Sequence, residues 1–120
     1  KVERLIISVG KVCYDLIEAR QESGDTKTAL VRLEEIYPFP EEKMAKILKT
    51  YPNAKDIVFC QDEPKNQGYW FFVRDYLDGL LPKGAKLRFA GRPSSASPAV
   101  GYNSVHVEQQ KALIADAFGL

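Results

Sequence analysis

Short runs of branched aliphatic residues alternate along this chain with stretches whose apolar positions recur every three or four residues. That alternation limits the fold more than any other feature. Arg4–Val9 is rich in isoleucine and valine and is ended by Gly10, the pattern of a buried strand. From Lys11 the period changes, and Val12, Cys13, Leu16 and Ile17 make one helical stripe before the turn-forming cluster Gln21–Thr26. Ala29–Leu33 is a second strand. Pro38 and Pro40 then interrupt the backbone, and Pro40-Glu41-Glu42 suits a helix start, with the acids at the positive end of the helix dipole. Met44, Ile47, Leu48 and Tyr51 share one face of that helix, which Pro52-Asn53 stops. Asp56–Gln61 is a third strand. Gly68 precedes a helix with Trp70, Val73, Leu77 and Leu80 on one face and Tyr69, Phe72 and Tyr76 on another. Leu87–Ala90 is a short fourth strand, and Ser104–Phe118 a closing helix.

Parallel strands need helical crossovers, so this order predicts an α/β domain with a mainly parallel sheet covered on both faces. The nearly continuous apolar strands agree, because doubly covered strands lose the polar alternation of half-exposed ones. A chain of 120 residues, 45% hydrophobic, supports one such domain spanning 1–120 without metal or disulfide staples. Cys13 and Cys60 sit in apolar contexts and read as buried free thiols of a reducing compartment. The 17 Lys and Arg against 16 Asp and Glu exclude a strongly basic nucleic-acid binder or a polybasic membrane arm. No apolar run approaches the roughly 20 residues of a membrane span. Lys1–Val9 is too short and too charged for a signal peptide. The only Met is Met44, and the chain opens directly on a strand pattern, which reads as a piece of a longer polypeptide.

Ligands of open α/β sheets sit beyond the carboxyl ends of the strands, so the loops that follow each strand are the places to look. Gly10-Lys11 is no GxGxxG, and no acidic residue ends the second strand, which argues against a dinucleotide site. In Glu34–Pro40 the prolines fix the turn, and Tyr37 and Phe39 read as plugs between subunits or domains. After the third strand, Lys65, Asn66 and Gln67 stand before a helix N-terminus, where they would hold a phosphate or a partner's backbone; the plainer alternative is a loop whose Asn or Gln caps the helix. After the fourth strand, Arg92 offers a planar fork for phosphate or carboxylate, and Ser94, Ser95 and Ser97 are short donors beside it; here the alternative is a surface loop with Arg92 in a salt bridge. His106 has no ligand-spaced partners, no serine stands in GxSxG, and neither cysteine has an evident histidine partner. No self-sufficient catalytic set and no metal site is legible.

Taken in order, Ser8–Leu16, Glu34–Pro40, Glu63-Pro64-Lys65-Asn66-Gln67-Gly68 and Gly91–Gly101 resemble the C-terminal end of 2-oxoglutarate dehydrogenase, the decarboxylating first component of its complex. The likeness covers almost the whole chain, and Gly91–Pro98 is its most specific part. Gln61-Asp62 stands where that family would carry Glu or Gln followed by Glu, a mild departure. The resemblance implies a transketolase C-terminal-like domain: a small, mostly parallel sheet with one antiparallel edge strand and helices on both faces. It implies a homodimeric parent that decarboxylates 2-oxoglutarate on thiamine diphosphate with Mg. The parent then passes the succinyl group to the lipoyl arm of the second component, in the tricarboxylic acid cycle. The cofactor's Gly-Asp-Gly motif belongs to earlier domains, and Gly24-Asp25-Thr26 is not it. The fragment is then expected to be inactive alone, and structural or dimer-forming. The resemblance also implies an AMP or acetyl-CoA effector, carried onto Arg92, Ser94, Ser95 and Ser97, then Lys65, Asn66 and Gln67. Location follows the family: cytoplasm in bacteria, mitochondrial matrix in eukaryotes. Two alternatives stand beside this reading, a nucleotide or acyl-CoA sensor module and the equivalent domain of a 2-oxoadipate dehydrogenase.

Overall fold

The computed structural model describes residues 1–92 and 103–120, apart from the side chains of 103–105. Eight elements follow in strict alternation: β1 (Arg4–Val9), α1 (Val12–Ser23), β2 (Thr28–Leu33), α2 (Glu41–Thr50), β3 (Asp56–Pro64), α3 (Trp70–Asp78), β4 (Lys86–Arg92) and α4 (Asn103–Ala117). The strands form one sheet in the order β2-β1-β3-β4, with every pair parallel. The antiparallel edge strand implied by the family resemblance is not among the described residues; β2 and β4 are the two edges.

Side-chain alternation splits the core into two layers. Leu5 and Ile7 of β1 and Ile57 and Phe59 of β3 face Met44 and Leu48 of α2 and Trp70, Val73 and Leu77 of α3. Their neighbours Ile6, Val58 and Cys60 face Val12 and Leu16 of α1 and Leu113, Ala117 and Phe118 at the other end of the chain. The topology requires this arrangement. From β1 the chain steps outward to β2, and from β3 it steps the opposite way to β4, so right-handed crossovers place α1 and α3 on opposite faces. Because β1 and β3 are neighbours whose connections leave in opposite directions, their carboxyl ends open a crevice between them.

Two strands are longer than the sequence suggests. β3 runs on through Asp62, Glu63 and Pro64, and β4 includes Gly91 and Arg92, all of which read as loop in one dimension. The register shifts between Cys60 and Pro64, and pairing resumes at Pro64↔Arg92. Polar residues and a proline carry no strand signature, and a bulge restores pairing only in three dimensions. At the other end of α1, Gly24 in the left-handed region (φ 70°) donates its N–H to the carbonyls of Arg20 and Gln21, closing the helix where turn residues were expected.

Candidate functional site

At the carboxyl ends of β1, β3 and β4 lies a cleft of about 580 Å³ lined by Lys11, Tyr14, Asp15, Asp62, Arg92, His106 and Gln110. The first turn of α1 forms one wall and α4 the other, where His106 and Gln110 stand four residues apart and share a helix face. Gln110 ties the three sides together. Its Nε2 donates to Asp15 Oδ2 (2.8 Å) and Asp62 Oδ1 (3.0 Å), and its Oε1 accepts from Arg92 Nη2 (2.7 Å). Both donors of the carboxamide and one acceptor site are thereby used.

Arg92 is buried, 7% exposed, at the end of β4. Its Nη1 donates to the Asp62 backbone carbonyl, and its Nη2 lies 3.3 Å from His106 Nδ1 as well as bonding Gln110. The guanidinium that the sequence marks as a phosphate fork is therefore also an internal brace between β3, β4 and α4. Ser94, Ser95 and Ser97 lie outside the described residues.

The turn after β3 is organised by one buried side chain, Gln61, which is 0% exposed. Its Nε2 donates to the carbonyls of Gln67 (2.7 Å), Pro64 (2.9 Å) and Glu63 (3.2 Å). Its Oε1 accepts the N–H of Tyr69 (3.0 Å), which is the N-cap residue of α3. The sequence suggested that an Asn or Gln of this loop caps the helix; the glutamine that does so sits in the strand before it. Lys65 and Asn66 are exposed at the apex and Gln67 is half-buried. The Lys65 N–H bonds the Arg92 carbonyl (3.0 Å), and its ammonium lies 5.9 Å from the Phe89 ring centre. Lys65 and Arg92, both singled out from the sequence, are thus neighbours.

Tyr37 and Phe39 part company. Tyr37 is 62% exposed, over Phe72 at 4.4 Å and Tyr69 at 6.4 Å between ring centres. Phe39 is buried and stacks on Tyr76 at 4.8 Å, so its ring fills this chain's own core. Both cysteines are buried free thiols, as expected. Burial, with Asp62 and Asp116 nearby, pushes the Cys60 thiol up to about 12, far from nucleophilic use. Among the described residues no three His, Cys, Asp or Glu side chains converge as metal ligands. The described residues that line the cleft include no Ser or Cys.

Sequence reasoning missed Asp15, Asp62 and Gln110 as one network and Gln61 as the loop's anchor. The four-residue spacing of His106 and Gln110 was the available signal. Asp15 and Gln110 are brought together only by the packing of α1 beside α4.

The 2-oxoglutarate dehydrogenase C-terminal family matches residues 1–118. The chain is 57% identical over 118 residues to the 2-oxoglutarate dehydrogenase E1 component of Cupriavidus necator, covering 98% of this chain and 12% of that protein. It is 47% identical to the E1 component of Haemophilus influenzae over 116 residues, covering 97% of this chain and 12% of that protein. The Azotobacter vinelandii E1 component is 46% identical over 121 residues, with 98% and 13% covered.

Proposed function

The chain belongs to the 2-oxoglutarate dehydrogenase C-terminal family, and on that premise we propose that it is the transketolase-type C-terminal domain of a 2-oxoglutarate dehydrogenase E1 component. The carrying observation is 57% identity across 98% of the chain. The chain spans about an eighth of its relatives' length, so the chemistry belongs to a longer polypeptide. That parent decarboxylates 2-oxoglutarate and passes the succinyl group to the lipoyl arm of a succinyltransferase partner, as a homodimer in a bacterial cytoplasm. Thiamine diphosphate, held with Mg, supplies the electron sink for the decarboxylation. We place that cofactor on other parts of the parent; in support, Asp15 and Asp62 are tied to Gln110, and the described residues offer no metal-ligand cluster. The domain's own part is to pack, with exposed Tyr37 as a contact to a neighbouring surface, and to hold an effector. The test is an assay of the full-length protein and of residues 1–120 alone with 2-oxoglutarate, thiamine diphosphate, Mg and a lipoyl acceptor. The full-length protein should release CO₂ and transfer succinyl while the isolated chain does neither; an inactive full-length protein, tested with its cofactor, would refute the reading.

The same reading assigns the effector, a nucleotide such as AMP or acetyl-CoA, to Arg92, Ser94, Ser95 and Ser97 with Lys65, Asn66 and Gln67. Its support is the Lys65 to Arg92 backbone bond, which pairs the residue opening one donor-rich segment with the residue that precedes the other in sequence. Charge-assisted hydrogen bonds to phosphate would carry the affinity. Arg92→Ala in the full-length enzyme should weaken AMP or acetyl-CoA binding by at least about tenfold, the loss of one such bond. Titration calorimetry reads this directly, and unchanged affinity would remove Arg92 from the site.

A further inference from the structure

A second concavity adjoins that cleft, sharing Asp15, His106 and Gln110 with it, and continues along the seam between α1 and α4. It is a groove of about 500 Å³ whose floor is apolar, formed by Ala19, Val107, Ile114 and Phe118, with Leu120 at one end. Val107 is 39% exposed and Leu120 is 90% exposed, two of the five large hydrophobic side chains the described residues leave in solvent. One rim is acidic. Asp15, Glu18 and Glu22 line it from α1, spaced three and four residues apart and so on one face of the helix.

Like charges at that spacing oppose each other and weaken a helix. Asp15 is relieved by Gln110, but among the described residues no cation pairs with Glu18 or Glu22. Lys111 of α4 also lines the groove without bonding either glutamate, so the apolar floor is bordered by three carboxylates against one ammonium. A complementary occupant carries apolar side chains at helical spacing and lysines or arginines beside them, the helix-in-groove mode of recognition.

We propose that the α1–α4 groove is the docking seat of a basic amphipathic helix supplied by the same polypeptide outside these 120 residues. The inference rests on the proposed reading only in taking the chain as part of a longer protein, and it names a surface that reading does not use. Tethering favours an occupant in cis, because it raises the effective concentration of a linked helix to about millimolar. Relatives of eightfold greater length leave ample chain to supply it.

The experiment uses the full-length protein, treated with a zero-length carbodiimide cross-linker and mapped by mass spectrometry. Glu18 or Glu22 should join a lysine outside this chain's 120 residues, and in a mixture of isotope-labelled and unlabelled protein the joined peptides should carry one label only. In parallel, carbodiimide coupling of a small amine should modify Glu18 and Glu22 several-fold more slowly than Glu41 and Glu42, which are exposed at the start of α2. Mixed-label cross-links would replace the occupant with a second copy and overturn the proposal. Coupling as fast as at Glu41 and Glu42, with links to Lys111 alone, would show an open groove and overturn it too.

Discussion

Gln61→Leu is expected to lower stability by about 3 kcal/mol. The leucine is close in volume, so little cavity is left, but every bond made by the carboxamide disappears. The carbonyls of Glu63 and Gln67 lose the amide donor, the Pro64 carbonyl is left with the Gln67 N–H alone, and the Tyr69 N–H loses its acceptor. Stranding a buried backbone group costs roughly 1–3 kcal/mol, and partial hydration of the outer carbonyls keeps the sum near the figure given. For a chain of this length the melting temperature should fall by about 10 °C. Gly68 belongs to the same device: it sits at φ +74°, and an added Cβ would meet Gln61 Oε1 at 2.8 Å. Gln61→Glu separates shape from donor loss. Its carboxylate would face three carbonyl oxygens, so burial and repulsion raise its folded pKa above the ordinary value near 4.3. Such a group favours the folded state at low pH, and that contribution is lost as pH rises through the raised pKa. Relative to the parent sequence, this variant should be least handicapped in acid and most at neutral pH. Urea melts across pH give the answer, and a pH-independent difference would mean that the carboxamide's donors are not what holds the turn.

The same residue shows where reading in one dimension stops. Apolar periodicity is a local property, and it marked all four strands and all four helices, together with the parallel sheet between two helical layers. Leu5 and Ile7 against Ile6 is enough to assign two faces. Strand ends are set by pairing instead: Pro64 and Arg92 are strand residues because each meets the other across a bulge, and neither reads as strand in its own neighbourhood. The site was half legible for a related reason. Arg92 and Lys65 stand out by chemistry and by following strands, whereas the partners that engage Arg92, Gln110 above all, arrive from a helix whose docking angle no spacing rule contains. Tyr37 and Phe39 are two residues apart and looked equivalent, yet one is exposed and the other stacked in the core. The family resemblance added an activity and an antiparallel strand to this picture; the described sheet is entirely parallel.

At the opposite end of the sheet, Asp56→Asn should cost about 2 kcal/mol near neutral pH, and it should also remove part of the chain's sensitivity to acid. Asp56 opens β3 and is held from both sides. Arg88 on β4 gives it two bonds (2.8 and 3.1 Å) and Arg4 on β1 gives one (2.8 Å), so a single carboxylate ties three neighbouring strands. Arg88 also donates to the carbonyls of Asp116 (2.7 Å) and Ala117 (3.1 Å) at the end of α4, where the Asp116 carbonyl already takes the Gly119 N–H (3.0 Å). The side chains are about a third exposed, so the figure is set below that of a fully buried pair. Burial alone would raise the Asp56 pKa, but the bonds from Arg88 and Arg4 outweigh it and hold the carboxyl below its ordinary 3.8. A depressed carboxyl stabilises the fold above its unfolded pKa, and that stability is lost as pH falls through the folded pKa. The parent sequence should therefore weaken steeply below about pH 4, while Asp56→Asn, already without the charge, starts lower and falls less. Arg88→Lys tests geometry against charge, because one ammonium keeps the ion pair but cannot span both carboxylate oxygens and two carbonyls. If the clamp acts as drawn, Arg88→Lys loses hydrogen-exchange protection in the last turn of α4 while β1 and β3 keep theirs. Equal acid sensitivity in the parent and Asp56→Asn would place the titrating group elsewhere, and an unaffected α4 terminus would leave Arg88 as a sheet residue only.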